Sequence, residues 1–280
     1  MTTETSAVPY LEMNDGRRIP QLGFGVFQVP PEDTAEAVSH ALSTGYRSID
    51  TAAAYRNEAG VGEAIRRSGL PREDVFVTTK LWNSSHGHES ALRAFGRSLE
   101  RLGFDYVDLY LIHWPVPSRD LYVETWKALT EIKADGRARS IGVSNFNVSH
   151  LERIIEATGV VPAVNQVELH PRLPQAELRR FHSEQGILTE AWSPLAQAQV
   201  LDEPAVREIA ERHGRSPAQV ILRWHIQLRN VVIPKSVTPA RIEENFRIFD
   251  FELTTDEMRA IDRLDTGQRI GPDPDQFSLA

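Results

Sequence analysis

The strongest constraint on the fold is a series of short apolar strands that alternate with helical patterns along the chain. Several strands, such as residues 75–77 and 231–233, are continuous apolar runs, as is typical of parallel strands buried on both faces. Eight strand-helix units within 280 residues predict an α/β fold, a (β/α)8 TIM barrel that occupies residues 1–280 as a single domain. The predicted strands are residues 22–25, 46–49, 75–79, 107–112, 140–143, 163–167, 187–191 and 231–233.

Three segments do not fit the repeating unit. Residues 10–13 and 17–20 flank the turn signal Asn14-Asp15-Gly16 and predict an N-terminal β-hairpin that closes one end of the barrel. Residues 204–213 and 254–264 have helical patterns beyond the eight barrel helices. We therefore expect a barrel with a hairpin and two extra helices.

Composition excludes several classes of function. The chain has 31 Lys and Arg against 39 Asp and Glu, and a net charge of −8 disfavours general attraction to nucleic acid or to anionic membranes. Cysteine is absent, which removes disulfides, thiol nucleophiles and thiolate metal ligands. The first residues do not resemble a signal peptide, and no apolar run is long enough to span a bilayer. We expect a cytoplasmic monomer.

Polar and aromatic residues stand where the predicted strands end. In a β/α barrel these ends meet at one rim, which is where active sites form. Polar groups that converge there are costly to desolvate unless they pair with one another. In chain order the strand ends carry Phe24-Gly25, Asp50 with Tyr55, Lys80 with Trp82, His113 with Trp114, Ser144-Asn145, Gln166 with Glu168, Trp192-Ser193, and Lys235-Ser236.

Asp50, Tyr55, Lys80 and His113 are the candidate catalytic residues. A phenol has a pKa of about 10, and a nearby ammonium such as Lys80 is expected to lower that of Tyr55. Asp50 would keep Lys80 protonated, and His113 would orient a carbonyl oxygen beside Tyr55. General acid catalysis of this kind contributes roughly 10²–10⁴-fold. It suits reduction of a carbonyl group, provided that another molecule donates a hydride.

The chain has no G-x-G-x-x-G motif, so a Rossmann dinucleotide site is not expected. The phosphate-binding candidate is instead the segment 233–245, at the eighth strand and the start of its helix. It offers helix N-terminal amides, Lys235, two hydroxyl groups and Arg241. Barrels often bind phosphate in the loops after their last two strands.

These stretches resemble the aldo-keto reductases, and among them the bacterial 2,5-diketo-D-gluconate reductase-like branch. The resemblance runs in family order over nearly the whole chain. It implies a catalytic tetrad of Asp50, Tyr55, Lys80 and His113, the same four residues that the strand ends select. The matching stretches are residues 45–58, 79–82, 102–115, 139–146, 164–171, 192–195 and 233–245.

The resemblance also implies that NADPH lies across the barrel mouth. Tryptophan at position 192 replaces the tyrosine that is usual in the family and would still stack on the nicotinamide. Two cations, Lys235 and Arg241, favour NADPH over NADH. The implied cofactor contacts are Ser144, Asn145 and Gln166 for the carboxamide, Ser193 and Leu195 for the pyrophosphate, Lys235, Ser236, Val237, Thr238 and Arg241 for the 2′-phosphate and adenosine, and Glu244 and Asn245 for the adenine.

Phe24, Trp82 and Trp114 are expected to form the substrate pocket together with His113. The sequence His86-Gly87-His88-Glu89 has too few spaced ligands for a metal site, so we interpret it as a substrate-side loop and expect no metal.

The interpretation is NADPH-dependent reduction of an aldehyde or ketone, with a keto-sugar acid or a small dicarbonyl as substrate. Detoxification of methylglyoxal or aromatic aldehydes is an alternative within the same chemistry. From other classes, a redox-sensing subunit that binds the cofactor with little turnover and a metal-dependent hydrolase remain as alternatives. The substrate itself cannot be read from the strand ends.

Overall fold

Eight parallel strands form a closed barrel in the computed structural model, which describes residues 8–279. The first and last strands are joined by hydrogen bonds from the Gly23 amide to the Val232 carbonyl (2.9 Å) and from the Val232 amide to the Gln21 carbonyl (3.0 Å). The predicted (β/α)8 barrel is therefore confirmed. Its strands are β3 (Phe24–Gly25), β4 (Ser48–Asp50), β5 (Phe76–Leu81), β6 (Val107–Ile112), β7 (Ala138–Ser144), β8 (Val164–Glu168), β9 (Leu188–Trp192) and β10 (Val231–Val232).

The N-terminal hairpin is also confirmed, as the antiparallel pair β1 (Tyr10–Glu12) and β2 (Arg18–Pro20). Ile19 of this hairpin is fully buried and packs inside the barrel with Leu109 and Val164. These apolar side chains form the lower layer of the barrel interior. The hairpin thus closes the end opposite the strand C-termini.

Helices cover the outside of the barrel, and their apolar faces pack on the strands. The two extra helices, α7 and α10, are held together because His213 and Arg212 both contact the Glu257 carboxylate. Capping boxes at Ser216 and Thr254 fix the starts of α8 and α10. The helices are α1 (Pro31–Thr44), α2 (Glu58–Arg67), α3 (His88–Leu102), α4 (Tyr122–Ala134), α5 (Val148–Thr158), α6 (Ala176–Gln185), α7 (Pro204–His213), α8 (Pro217–Gln227), α9 (Pro239–Phe246) and α10 (Thr255–Asp262).

Some boundaries differ from those predicted. The strand expected at residues 46–49 begins at Ser48 and includes Asp50. Tyr46 precedes it, fully buried, and donates a hydrogen bond from its hydroxyl to the Ile242 carbonyl in α9. The shift moves Asp50 from just beyond the strand to its last residue. No helix within residues 8–279 is long and apolar enough to cross a membrane.

Candidate active site

A cavity of about 1500 Å³ opens at the C-terminal end of the barrel. Its floor is the upper layer of inward-facing side chains, which is polar where the lower layer is apolar. Asp50 and Gln166 line this floor, and Lys80 and Glu190 form hydrogen bonds to them. Each of the four is at most 3% exposed. The site is therefore a ring of buried polar groups on an apolar base.

Asp50 and Lys80 form a buried ion pair on adjacent strands. The Lys80 ammonium donates to Asp50 Oδ1 at 2.6 Å and to the Thr51 carbonyl at 2.9 Å. Its Nζ lies 3.5 Å from the Tyr55 hydroxyl. Burial opposes the charge, but the neighbouring acidic groups, Asp50 above all, together outweigh burial and raise the pKa of Lys80. The ammonium is therefore charged at neutral pH and borders the phenol.

Tyr55 lies at the end of a short 3₁₀ turn, Ala53–Tyr55, that follows β4. Its ring packs against Phe27 and, edge to face, against His113, with centroids 5.0 and 5.6 Å away. Burial raises the pKa of Tyr55 above its usual value, and Lys80 offsets only part of this effect. Lys80 thus acts in the expected direction, but desolvation is the larger effect. At neutral pH the phenol carries its proton.

His113 follows β6, and its backbone amide donates to the Leu81 carbonyl at 3.1 Å. The ring contacts Trp82 and Tyr55 edge to face. Burial, assisted by the Lys80 charge, holds the pKa of His113 well below its usual range. The imidazole is thus neutral, and its Nδ1 has no hydrogen-bond partner among residues 8–279. The structure places all four predicted catalytic residues around one point of the cavity.

The residues expected at the carboxamide form a connected network. The Ser144 hydroxyl donates to the Gln166 carbonyl at 2.8 Å, and Asn145 Nδ2 donates to the His113 carbonyl at 2.9 Å. The Trp192 indole donates to Asn145 Oδ1 at 2.8 Å. The indole N–H therefore links the tryptophan ring to Asn145, which in turn binds the backbone of His113. A tyrosine has no indole N–H to make this hydrogen bond.

Glu190 is a member of the site that the sequence interpretation missed. Gln166 Nε2 lies 2.8 Å from Asp50 Oδ2 and 2.9 Å from Glu190 Oε2, so the amide bridges two carboxyl groups. The available signal was an acidic residue inside a predicted strand, two residues before Trp192 and hence on the same face.

The predicted phosphate-binding segment lies at the other end of the cavity. Lys235 and Arg241 are exposed, and no ion pair within residues 8–279 involves either. The backbone amide of Thr238 donates to the Ser236 hydroxyl at 3.0 Å just before α9 begins. Cavity-lining residues include all the predicted cofactor contacts: Ser144, Asn145, Gln166, Trp192, Ser193, Leu195, Lys235, Ser236, Val237, Thr238, Arg241, Glu244 and Asn245.

Glu244 has a partner that the sequence did not suggest. Its carboxylate accepts a hydrogen bond from the Ser216 hydroxyl, the N-cap of α8. Residues 216–218 consequently line the cavity beside Glu244. This end of the cavity is therefore built from the starts of two helices, α8 and α9.

The substrate end is walled by aromatic rings, with one correction. Trp82 and Trp114 line the cavity as expected, but Phe24 does not. Phe24 is 1% exposed and packs edge to face on Tyr46 in the core between barrel and helices. Its side chain points outward from the two-residue strand β3, so the prediction that it is a pocket wall is wrong.

The C-terminal tail supplies part of the cavity wall, through Gly271, Pro272 and Phe277. Phe277 packs on Trp114 with ring centroids 4.3 Å apart. The buried Glu168 carboxylate accepts hydrogen bonds from the amides of Ile270 (2.6 Å) and Gly271 (2.9 Å), which hold the tail against the barrel. The contribution of the tail to the cavity depends on these long-range contacts.

The loop containing His86 and His88 does not assemble a metal site. His86 is buried, and burial lowers its pKa to about 4. His88 lies beside Glu131 on α4, with Nε2 and Oε2 3.1 Å apart. No group of three or more His, Asp or Glu side chains within residues 8–279 could hold a metal ion.

The fold and its cavity define a (β/α)8 barrel with a single-chain site at the C-terminal ends of its strands. A model of the Aldo/keto reductase family matches residues 21–266, and the chain belongs to this family. An aldo-keto reductase of Mycolicibacterium smegmatis is 59% identical over 271 residues, which are 97% of this chain and 98% of the relative. The methylglyoxal reductase DkgA of Escherichia coli K12 is 51% identical over 269 residues, which are 95% of this chain and 97% of the relative.

A solved structure agrees with this assignment. A point mutant of Gox0644 in complex with NADPH superposes with a TM-score of 0.95 at 49% identity and covers 98% of this chain and 100% of that chain. The protein is therefore an NADPH-dependent aldo-keto reductase, and its reaction is the reduction of a carbonyl group. The predicted family, cofactor and reaction class are confirmed.

Proposed function

We propose that the protein reduces small reactive aldehydes and dicarbonyls, with Tyr55 as the proton donor. One observation carries the proposal: the Tyr55 hydroxyl lies 3.5 Å from a fully buried ammonium whose counterion is Asp50. A phenol kept protonated by burial can give its proton to a carbonyl oxygen. The phenolate that remains is then stabilised by the adjacent charge of Lys80.

The other two members of the tetrad support this proton transfer. Asp50 holds Lys80 in place through the 2.6 Å hydrogen bond and keeps it charged. His113, neutral because its pKa is lowered by burial, can donate a hydrogen bond to the carbonyl oxygen without adding a second cation beside Lys80. The carbonyl oxygen is thereby held between Tyr55 and His113.

The residues along the cavity fit NADPH by their chemistry. When bound, NADPH supplies the hydride to the carbonyl carbon. Lys235 and Arg241, exposed and without an acidic partner among residues 8–279, suit the 2′-phosphate at the start of α9. Trp192 offers an aromatic plane whose orientation is fixed by Asn145. Ser144 and Gln166 supply polar groups for the carboxamide.

The walls of the substrate end favour a compact carbonyl compound. Trp82, Trp114 and Phe277 are apolar surfaces around the tetrad, and Lys80 is fully buried and already paired with Asp50. Such a pocket suits an aldehyde or a dicarbonyl such as methylglyoxal. The similar enzyme DkgA carries the name methylglyoxal reductase.

A keto-sugar acid is the second candidate substrate, and Arg56 is the observation that favours it. Arg56 is exposed at the cavity mouth, directly after Tyr55, and no ion pair within residues 8–279 involves it. Its guanidinium could bind the carboxylate of such a substrate.

NADPH oxidation with methylglyoxal, phenylglyoxal, an aromatic aldehyde, an aldose and 2,5-diketo-gluconate tests the proposal. We expect methylglyoxal and phenylglyoxal to give the highest kcat/KM, and Arg56→Ala to leave their kcat/KM unchanged. Highest turnover of 2,5-diketo-gluconate, lost in Arg56→Ala, would instead favour the sugar acid. Tight NADPH binding with no reduction of any carbonyl would support a redox-sensing role.

We also infer that the chain acts as one domain and as a monomer, because the barrel of a single chain carries every residue of the proposed site. Residues 1–7 and 280 of the predicted domain 1–280 lie outside the described residues. Light scattering of the purified protein tests this inference, and a dimer mass would contradict it.

A further inference from the structure

Glu190 is a buried acid that the proposed proton transfer does not use. It is 1% exposed and lies in β9, directly beside Gln166 of β8 in the strand register. A buried carboxyl group costs several kcal/mol unless it is hydrogen-bonded. Within residues 8–279 its side chain has one hydrogen-bond partner, the Gln166 amide at 2.9 Å. The pair is therefore a specific contact in the floor of the site.

The two N–H groups of the Gln166 amide are both engaged. Asp50 Oδ2 accepts at 2.8 Å and Glu190 Oε2 accepts at 2.9 Å. One hydrogen bond fixes a direction, whereas two fix the plane of the amide. A flipped amide would place its oxygen against the Asp50 carboxylate, which is an acceptor only. The orientation of Gln166 is thus determined by its two acidic neighbours.

The remaining atom of this amide is its acceptor oxygen. Gln166 Oε1 accepts no hydrogen bond within residues 8–279, and it is not among the buried atoms left without a partner. Because Gln166 lines the cavity, this oxygen meets the open space. An acceptor fixed in this place can recognise a ligand that carries an N–H donor.

The charge of Glu190 is compatible with this arrangement. Burial, and then the nearby Asp50 charge, raise the pKa of Glu190 to about 8. At neutral pH it is mainly a carboxylic acid, so it accepts from Gln166 without adding a second negative charge beside Lys80. Glutamine at this position would keep both the acceptor and the neutrality.

We propose that Glu190 is a positioning residue that fixes the Gln166 amide, so that the site selects a nicotinamide ring with a primary carboxamide over a ring without an N–H donor. The inference rests on the proposed cofactor site at Gln166. Asp50 alone would leave the amide free to rotate about its single remaining hydrogen bond.

The test compares the affinities of three probes for wild type and Glu190→Met, measured by quenching of tryptophan fluorescence. The probes are NADPH, its reduced analogue with an acetyl group in place of the carboxamide, and adenosine 2′,5′-bisphosphate. We expect Glu190→Met to weaken NADPH roughly fivefold, as for one lost hydrogen bond, and to change the other two less than twofold. Glu190→Gln should restore the wild-type preference for NADPH over the acetyl analogue.

Thr189→Val is a matched control, because Thr189 is the neighbouring residue on β9 and its hydroxyl contacts His182, 2.8 Å away, outside the cavity. It should lower stability without changing the preference. Equal weakening of all three probes by Glu190→Met, or none, would overturn the inference. If Glu190→Met does not fold, Glu190→Ala provides the same comparison. Wild-type protein that binds neither NADPH nor the bisphosphate would overturn the cofactor site itself.

Discussion

Replacing Lys80 by methionine should separate the structural role of the buried ion pair from its role in catalysis. Methionine keeps most of the volume of the side chain but removes the charge and both hydrogen bonds, to Asp50 Oδ1 and to the Thr51 carbonyl. The Asp50 carboxylate, 3% exposed, then has no cation beside it. Its remaining partner is Gln166.

The expected magnitude follows from this burial. Removing one partner of a buried pair typically costs about 3–5 kcal/mol, because it leaves an uncompensated charge. Adding Asp50→Asn removes that charge, so the double variant Lys80→Met with Asp50→Asn should recover most of the lost stability. We expect its free energy of unfolding to lie within roughly 1–2 kcal/mol of the wild-type value. Asparagine can keep an oxygen acceptor for Gln166.

Activity, unlike stability, should not recover in the double variant. Without the ammonium beside Tyr55, the phenolate formed by proton transfer is not stabilised, so turnover should fall by roughly 10²-fold or more in the single variant. The double variant should be equally inactive although it is more stable. The assays are urea denaturation and NADPH oxidation with methylglyoxal.

A double variant as unstable as the single one would refute the assignment of the cost to an unpaired charge. A double variant that regains activity would refute the role of Lys80 beside Tyr55.

Three further predictions follow from the site and the core. Tyr55→Phe should bind NADPH within about twofold of wild type and lose roughly 10²–10⁴-fold in kcat; normal turnover would exclude Tyr55 as the proton donor. Arg241→Ala should weaken NADPH binding roughly tenfold and leave NADH binding nearly unchanged, because a charge-assisted hydrogen bond to the 2′-phosphate is lost. Arg247→Ala, at the end of the same helix, should change the affinity for neither cofactor. Equal weakening of both cofactors by Arg241→Ala would contradict the 2′-phosphate assignment. Burial lowers the pKa of both His182 and His225 to about 3, so each of them binds a proton more readily in the unfolded chain. The free energy of unfolding should therefore fall as the pH decreases from about 6.5 towards 4. The expected fall is up to about 1.4 kcal/mol per pH unit for each histidine. Urea denaturation at pH 7 and pH 5 measures this change, and equal stability at the two values would refute it.

The barrel and the proximity of the four candidate catalytic residues could be predicted because both follow from the succession of strands and helices along the chain. Eight apolar strands separated by helical patterns admit few folds, and the C-terminal ends of parallel strands must meet at one rim. Asp50 and Lys80 lie in the last residues of two such strands, and Tyr55 and His113 lie just beyond strand ends. Their proximity therefore follows from the order of strands and helices in the sequence.

The features that were missed depend on side-chain direction and on distant contacts. Phe24 is in a strand of two residues, where a shift of one position moves a side chain from the cavity to the core. The wall formed by the tail depends on Glu168 binding amides about a hundred residues further along the chain. Burial raises the pKa of Tyr55, and the spacing of charged residues along the sequence does not predict how deeply the phenol is buried.

The central claim is that this cavity moves a hydride from NADPH to a carbonyl carbon while Tyr55 supplies the proton. The most direct measurement is the mass of the alcohol formed from methylglyoxal with NADPH deuterated at its transferable position, for wild type and for Tyr55→Phe. We predict an alcohol with one deuterium on carbon from wild type, and almost none from the variant although it binds the cofactor. An alcohol without deuterium, or undiminished labelled product from Tyr55→Phe, would contradict the account.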